Sequence, residues 1–287
     1  MATKAYFNGE IGNYDEMVIP LSDRSVFYGD AVYDAVLVLE KKSFALDLHL
    51  DRLYRSCALT DIMFSMPREQ LKREIDRLLA VSEGDAHMLY LQVTRGAAPR
   101  KHEYPEGVVP NLIMFAKPIA VASPDQRVSL IGMEDLRFQY CNIKTTNLMP
   151  NVFASEKAKQ AGADEVLWHR GDRVTEAAHS SILMLKDGAL VMPPLDELVL
   201  PGITRRVAHD LCDQNGIPVE VRTFTVDEVM QADEVILCST TKNLLYVSEI
   251  DGIPVGGKGG ALAKRLQSLF LDEVYRQTGV RIRGGLK

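Results

Sequence analysis

Lys144 ends the segment Phe138-Gln139-Tyr140-Cys141-Asn142-Ile143, just before Thr145-Thr146-Asn147 and the opening of a helical pattern. A lysine held at a strand end among apolar neighbours has its charged form disfavoured, so its amine could become a nucleophile. Alone the signal is weak, since an ordinary exposed lysine fits as well. Leu198-Val199-Leu200-Pro201-Gly202-Ile203-Thr204 leads into a helical pattern with Val207, Ala208 and Leu211 on one side. Free backbone N–H groups near Gly202–Thr204 would then point outward beside a hydroxyl, an arrangement that suits a phosphate. The apolar run Val235–Cys238 empties into Ser239-Thr240-Thr241, with three adjacent hydroxyls and their amides. An N-cap or a turn accounts for either segment by itself. In Arg173-Val174-Thr175-Glu176-Ala177-Ala178-His179-Ser180-Ser181, one carboxylate precedes a string of small residues that would let a flat ligand approach the backbone. Glu176 could hold a proton on a ring nitrogen there; a solvated turn glutamate is the plainer reading.

The elements that must position these residues alternate between strands and helices, without repeats or low-complexity tracts. Strands are expected at Ala5–Asn8, Ala31–Leu39, His87–Thr94 and Leu112–Ala116, with a turn at Gly9–Gly12 and a charged turn at Glu40–Lys42. His49–Leu59 and Pro67–Val81 carry apolar residues at helical spacing, with Asp47 and Ser65 available as caps. A Gly/Pro/Arg-rich loop spans Gly96–Pro110, and Pro118–Asp125 is the best candidate for a domain boundary. Beyond it, strands at Val128–Gly132, Glu165–His169 and Ser181–Leu185 alternate with helices at Asn151–Gln160, Thr204–Gln214 and Gly259–Gln277. The expectation is two α/β domains: a small N-terminal one over 1–120 and a larger one over 121–287.

Composition narrows the function classes. The 287 residues carry 33 Lys+Arg against 39 Asp+Glu, a net charge of −6, which argues against a basic nucleic-acid field. Hydrophobic residues make up 46% of the chain, enough for sizeable cores. No apolar run reaches the roughly 18 residues of a bilayer crossing, and no secretory signal opens the chain, so the expected location is cytoplasmic. Cys57, Cys141, Cys212 and Cys238 stand far apart and read as free, mostly buried thiols.

Together the segments resemble the class IV, or fold-type IV, pyridoxal-phosphate enzymes, which include branched-chain aminotransferases, D-amino-acid aminotransferases and aminodeoxychorismate lyases. Asn142-Ile143-Lys144-Thr145-Thr146-Asn147-Leu148 is similar to the family's Schiff-base lysine segment, and Val174-Thr175-Glu176 to the segment whose glutamate pairs with the pyridine nitrogen. Leu200-Pro201-Gly202-Ile203-Thr204-Arg205 resembles the phosphate turn, with Leu200 expected against the ring. Ser239-Thr240-Thr241 resembles the second phosphate loop, and His49-Leu50-Asp51-Arg52-Leu53 the early helix that sends an arginine, here Arg52, to the phosphate. Five motifs in the family order, from His49 to Thr241, are far more specific than any one of them. The resemblance implies an α/β (α+β) fold of two domains with pyridoxal 5′-phosphate at their interface.

Thr94-Arg95-Gly96-Ala97-Ala98-Pro99-Arg100-Lys101-His102 resembles the loop of the D-amino-acid aminotransferases, in which an Arg-x-His pair takes the substrate α-carboxylate together with a tyrosine, here Tyr33. Guanidinium offers a carboxylate a bidentate fork, and imidazole and phenol supply further donors. In that subgroup the loop reaches into the neighbouring subunit's site, so the resemblance implies a homodimer. The implied activity is ping-pong exchange of an amino group between D-amino acids and 2-keto acids. The lyases and the branched-chain L-aminotransferases are the alternatives, and a cofactor-holding or regulatory protein on the same fold is a third. Two departures stand out: Ser181 replaces a usual asparagine, and His179 replaces a smaller residue and is expected as a buried filler. Phe138 and Tyr140 are expected in a strand core.

Overall fold

The computed structural model describes residues 3–282, and the chain divides into two compact units. The first holds the chain up to Ala120 together with Ile143–Asn147; the second holds Val121–Asn142 and the chain from Leu148 onward.

In the first unit the elements are β1 (Lys4–Phe7), β2 (Glu10–Asn13), α1 (Arg24–Tyr28), β3 (Ala31–Leu39), β4 (Lys42–Ser43), α2 (Leu46–Leu59), α3 (Arg68–Val81), β5 (Ala86–Thr94) and β6 (Asn111–Pro118). The six strands form one antiparallel sheet in the order β2-β1-β6-β5-β3-β4. The turn expected at Gly9–Gly12 falls instead at Asn8-Gly9, both at positive φ, because Asn-Gly closes a two-residue hairpin and frees Glu10–Asn13 to pair as a strand. Glu40 and Lys41 make the same kind of turn between β3 and β4. Neither expected cap is used: α2 starts at Leu46, which places Asp47 inside its first turn, and Pro67 rather than Ser65 precedes α3. Asp47 favours the positive end of the helix dipole there and pairs with Lys72 at 2.8 Å.

Alternation along the strands decides what each face of this sheet does. Val32, Val36 and Val38 of β3 and Leu89, Leu91 and Val93 of β5 pack against Leu50, Leu53 and Cys57 of α2 and Leu71, Ile75 and Leu78 of α3. Odd-numbered β3 positions face the other way. On that side Tyr33 stacks on Tyr90 (centroids 5.4 Å), Tyr90 on Phe115 (4.7 Å), and Tyr14 meets Phe115 edge-on at 5.0 Å.

The second unit contains β7 (Arg127–Glu134), α4 (Met149–Gln160), β8 (Glu165–Arg170), β9 (Arg173–Ala177), β10 (Ser181–Lys186), β11 (Ala189–Met192), α5 (Ile203–Gln214), β12 (Val219–Val221), α6 (Val226–Met230), β13 (Glu234–Ser239), β14 (Asn243–Ile250), β15 (Ile253–Pro254) and α7 (Gly260–Thr278). Its sheet runs β12-β11-β10-β13-β14-β7-β8-β9, with β15 on β14. The β7–β8, β7–β14 and β11–β12 pairs are parallel and the rest antiparallel. Continuous apolar runs such as Val235–Leu237 and Ile182–Met184 are fully buried, as expected of strands covered on both faces. Among the described residues no helix is long and apolar enough to cross a membrane.

Candidate functional site

Lys144 does not end a strand. Residues 135–148 are an irregular segment, and its stretch Ile143–Asn147 lies along the start of β3 in the first unit. Tyr33 N donates to Lys144 O (2.9 Å), Thr146 N to Ala31 O (3.1 Å), and Thr145 bridges Val32. The Thr146 hydroxyl and the Asn147 amide both donate to Gly29 O, at 2.9 and 3.1 Å. Gly29, at φ +58°, is required here, since a Cβ would meet Asn147 Oδ1 at 2.7 Å. Ile143 packs into the core of this unit, so the stretch is anchored on both sides of Lys144. This anchoring places the Lys144 ammonium 4.4 Å from the centroid of the Tyr33 ring, on the sheet face away from the helices.

The opposite face of the same strand carries a buried charge cluster. Asp34, with no exposed surface, accepts Arg52 Nε and Nη2 at 2.8 Å each and lies 2.7 Å from His49 Nδ1. Burial pushes the Asp34 carboxyl up, but the Arg52 guanidinium and His49 outweigh it and hold the group well below the usual carboxylate range. Burial, aided by the positive charges of Arg52 and Lys144, lowers His49 against the pull of Asp34, which leaves a neutral imidazole donating from Nδ1. Arg52 therefore reaches its place with two of its nitrogens committed to Asp34.

Arg100 and His102 are exposed on the loop between β5 and β6. The Arg100 guanidinium lies 5.3 Å from the Tyr28 ring centroid, and the His102 ring is also 5.3 Å from it. Neither residue makes a hydrogen bond, ion pair or ring contact with Tyr33 among the described residues; Tyr33 keeps company with Tyr90 and Lys144.

In the second unit Glu176 lies within β9 and is 6% exposed, so the solvated-turn reading does not hold. Leu200 N donates to Glu176 Oε2 (3.0 Å) and Arg137 donates to Oε1. Arg137 also grips Asp135 through Nε and Nη2, at 2.8 Å each. Burial lowers the Arg137 pKa, but Asp135 and Glu176 outweigh it and raise it net. Burial likewise raises Asp135, which Arg137 then pulls below its ordinary value. A carboxylate so buried and so paired is able to face a protonated ring nitrogen.

Gly202 caps α5, leaving the first-turn amides of Ile203 and Thr204 without carbonyl partners inside the helix. A Cβ at Gly202 would meet Ser181 Oγ at 2.6 Å, so any other residue here would require the Ser181 hydroxyl to move. The hydroxyls of Thr204, Ser239 and Thr240 make no hydrogen bond among the described residues. Free hydroxyls and first-turn amides are donors of the kind a phosphate takes. In chemical type the hydroxyls and amides suit the phosphate of pyridoxal 5′-phosphate and Glu176 its ring nitrogen, while the first unit's Lys144 offers an amine of the kind that takes its aldehyde.

Two further expectations are overturned. His179 is no buried filler: its side chain is 52% exposed, with Nδ1 3.3 Å from Glu165, whose buried carboxylate already accepts the backbone N–H of His179 (2.7 Å) and the Ser180 hydroxyl (2.9 Å). Phe138 and Tyr140 are 46% and 63% exposed on the irregular segment rather than in a strand core. Sequence reasoning also missed Asp34, Arg137 and Asp135. Asp34 had a signal, a carboxylate on the inward phase of an apolar alternating strand; Asp135-Leu136-Arg137 offered only an unremarkable Asp-x-Arg.

Comparison with known proteins adds a family. The model of the amino-transferase class IV family matches residues 31–250. The D-alanine aminotransferase of Bacillus licheniformis is 36% identical over 278 residues, covering 96% of this chain and 98% of the relative. The Escherichia coli branched-chain amino acid aminotransferase superposes with a TM-score of 0.87 at 22% identity, covering 97% and 95% of the two chains. The branched-chain aminotransferase of the thermophilic archaeon Thermoproteus uzoniensis, solved with norvaline, gives 0.85 at 20%, covering 94% of each chain. At these identities the two structures speak for the fold alone.

Proposed function

The chain belongs to the class IV amino-transferases, and from that premise we propose that it exchanges the amino group between D-amino acids, of the D-alanine and D-glutamate type, and 2-keto acids with pyridoxal 5′-phosphate. The observation that carries this reading is the Lys144 amine brought over Tyr33 by a stretch of backbone anchored on both sides. The preference for D-substrates follows the D-alanine aminotransferases that the chain resembles over nearly its full length.

Bound pyridoxal 5′-phosphate supplies an electron sink that makes the α-proton of an amino acid removable and carries the amino group from donor to acceptor. Lys144 would hold it, and the Lys144 amine would take the substrate's α-proton and return it, as a positioned general base on a flexible stem. Glu176, paired with Arg137 and the Leu200 N–H, would hold the proton on the ring nitrogen. Leu200 would lie against the ring. Ile203 and Thr204 amides, the Thr204, Ser239 and Thr240 hydroxyls and the Arg52 guanidinium would anchor the phosphate, and Gly202 would allow the close approach.

Arg100 and His102 take the substrate carboxylate, with the phenol of Tyr33. Since neither meets Tyr33 in its own chain, we infer that they serve the site of a second copy in a homodimer. Four free cysteines, three of them buried, suit a reducing compartment, and a cytoplasmic location is proposed on that ground. Mixing the holoenzyme with D-alanine and L-alanine separately, while following the cofactor's absorbance, tests the reading. Rapid bleaching by D-alanine alone is expected, and faster reaction with L-alanine would overturn it.

A further inference from the structure

The loop that carries Arg100 and His102 is held from below by the segment preceding β3. Asp23 Oδ2 accepts Thr94 Oγ1 and Asn111 Nδ2, each at 2.7 Å, tying together the two strand ends from which the loop leaves. Arg24 N donates to Gly96 O (3.0 Å) and Ala98 N to Ser22 O (3.0 Å). Gly96, at φ +112°, closes the base so tightly that a Cβ there would lie 2.2 Å from Val109 O.

Farther out, a single side chain takes over. Arg24, only 4% exposed, donates Nη1 to Lys101 O (2.6 Å) and Glu103 O (3.3 Å), and Nη2 to His102 O (3.3 Å). Its Nε is fixed on Asp30 Oδ2 at 2.7 Å, and Asp30 in turn accepts Arg95 Nε at 2.8 Å. Three consecutive carbonyls aimed at one guanidinium leave the backbone of 101–103 little freedom, so the side chains on it depart in set directions. The Tyr28 ring, on the last residue of α1, lies within cation–π range of both Arg24 (4.8 Å) and Arg100 (5.3 Å) and contacts His102.

We infer that Arg24 is a positioning residue for substrate recognition: it holds Arg100 and His102 in the geometry that takes the α-carboxylate. The inference rests on the carboxylate role given to that pair above. Arg24 touches no substrate and acts through the loop. A lysine cannot replace it, because one ammonium cannot serve Asp30 and three carbonyls at once.

The test is a double-mutant cycle on the holoenzyme, read as kcat/KM for D-alanine in the parent, Arg24→Met, Arg100→Ala and the double variant, with Arg24→Lys alongside. If Arg24 acts through Arg100, Arg24→Met loses about tenfold or more, mostly in KM, and the double variant loses no more than about threefold beyond Arg100→Ala. Arg24→Lys falls between parent and Arg24→Met, and it takes the latter's place in the cycle if the methionine chain does not fold. The cofactor spectrum and its retention on dialysis stay those of the parent in every variant. Losses that multiply in the double variant, or a loss confined to kcat or to cofactor retention, overturn the inference. An Arg100→Ala variant that retains parental kcat/KM instead overturns the carboxylate role of the loop, a separate result.

Discussion

Tyr33 and Asp34 are neighbours on one strand and serve opposite sides of it. Tyr33 presents its ring to Lys144, while Asp34 turns into the core and binds Arg52 through two hydrogen bonds of 2.8 Å. The two-residue period of a strand puts the Lys144 site and its buried electrostatic support one sheet thickness apart.

That support has a pH signature. The folded Asp34 carboxyl lies below its unfolded value, so its contribution is complete above about pH 4 and is lost as pH falls toward the folded pKa. His49 is also lowered, so its share is present above about pH 6.5 and declines below that as the unfolded chain takes up the proton first. Urea melts between about pH 2 and 8 are expected to show stability falling on the acid side in the parent, with the part of that slope between about pH 6.5 and 4 reduced in His49→Gln. Asp34→Ala should cost about 3–5 kcal/mol at pH 7, because it removes the carboxylate that takes two hydrogen bonds from a buried guanidinium.

Lys144→Ala is expected to retain cofactor non-covalently and to lose nearly all turnover. Borohydride reduction of the parent followed by peptide mapping should place the label on Lys144; a label on any other lysine would remove the assignment.

For Glu176→Gln, an amide cannot hold the ring proton electrostatically, and it leaves Arg137 with one buried partner fewer. The first half-reaction should slow at least about tenfold, roughly 1.4 kcal/mol, with cofactor still bound. Arg137→Met differs in kind: it removes the guanidinium shared by two buried carboxylates, leaving Asp135 with Arg170 at 3.3 Å and Glu176 with the Leu200 N–H, and should cost stability by about 3–5 kcal/mol. Stopped-flow absorbance and chemical denaturation separate the two effects, and an unchanged half-reaction in Glu176→Gln would put the ring partner elsewhere.

Gly202→Ala tests the phosphate turn. The backbone there, at φ −62°, suits any residue, so the whole cost comes from the 2.6 Å approach to Ser181 Oγ. A loss of about 1–3 kcal/mol is expected. Adding Ser181→Ala, which removes that oxygen and leaves ordinary contacts at 3.5 Å (Arg205 Cβ) and 3.8 Å (Cβ of residue 181), should recover most of it. Failure of the second change to rescue the melting temperature would mean that the clash is not the cause.

With Arg100→Ala, kcat/KM for D-alanine should fall by about 2–4 kcal/mol, as expected when a carboxylate loses a charge-assisted partner. (R)-1-phenylethylamine, an amine without a carboxylate, should lose far less if the parent enzyme turns it over. Equal losses for the two donors would place the carboxylate elsewhere.

Much of the molecule is legible in the sequence because its signals are local. The alternation of Ala31–Leu39 and of residues 87–94 marks strands, leucine spacing marks α2 and α3, and the Lys144, Glu176, Gly202–Thr204 and Ser239–Thr240 segments name a chemistry through their residue types and order. What tertiary structure alone decided depends on partners far apart in the chain. Residues 143–147 rejoin the first unit because β3 offers them backbone partners more than 100 positions earlier. Arg24 becomes the anchor of a loop 77 positions away, and His179 turns outward because β8 brings Glu165 beneath its backbone. Period and turn chemistry act over a few residues and can be read from one segment. The partner of a buried charge is set by strand register and by which face of a sheet meets which helix, and no single segment carries that information.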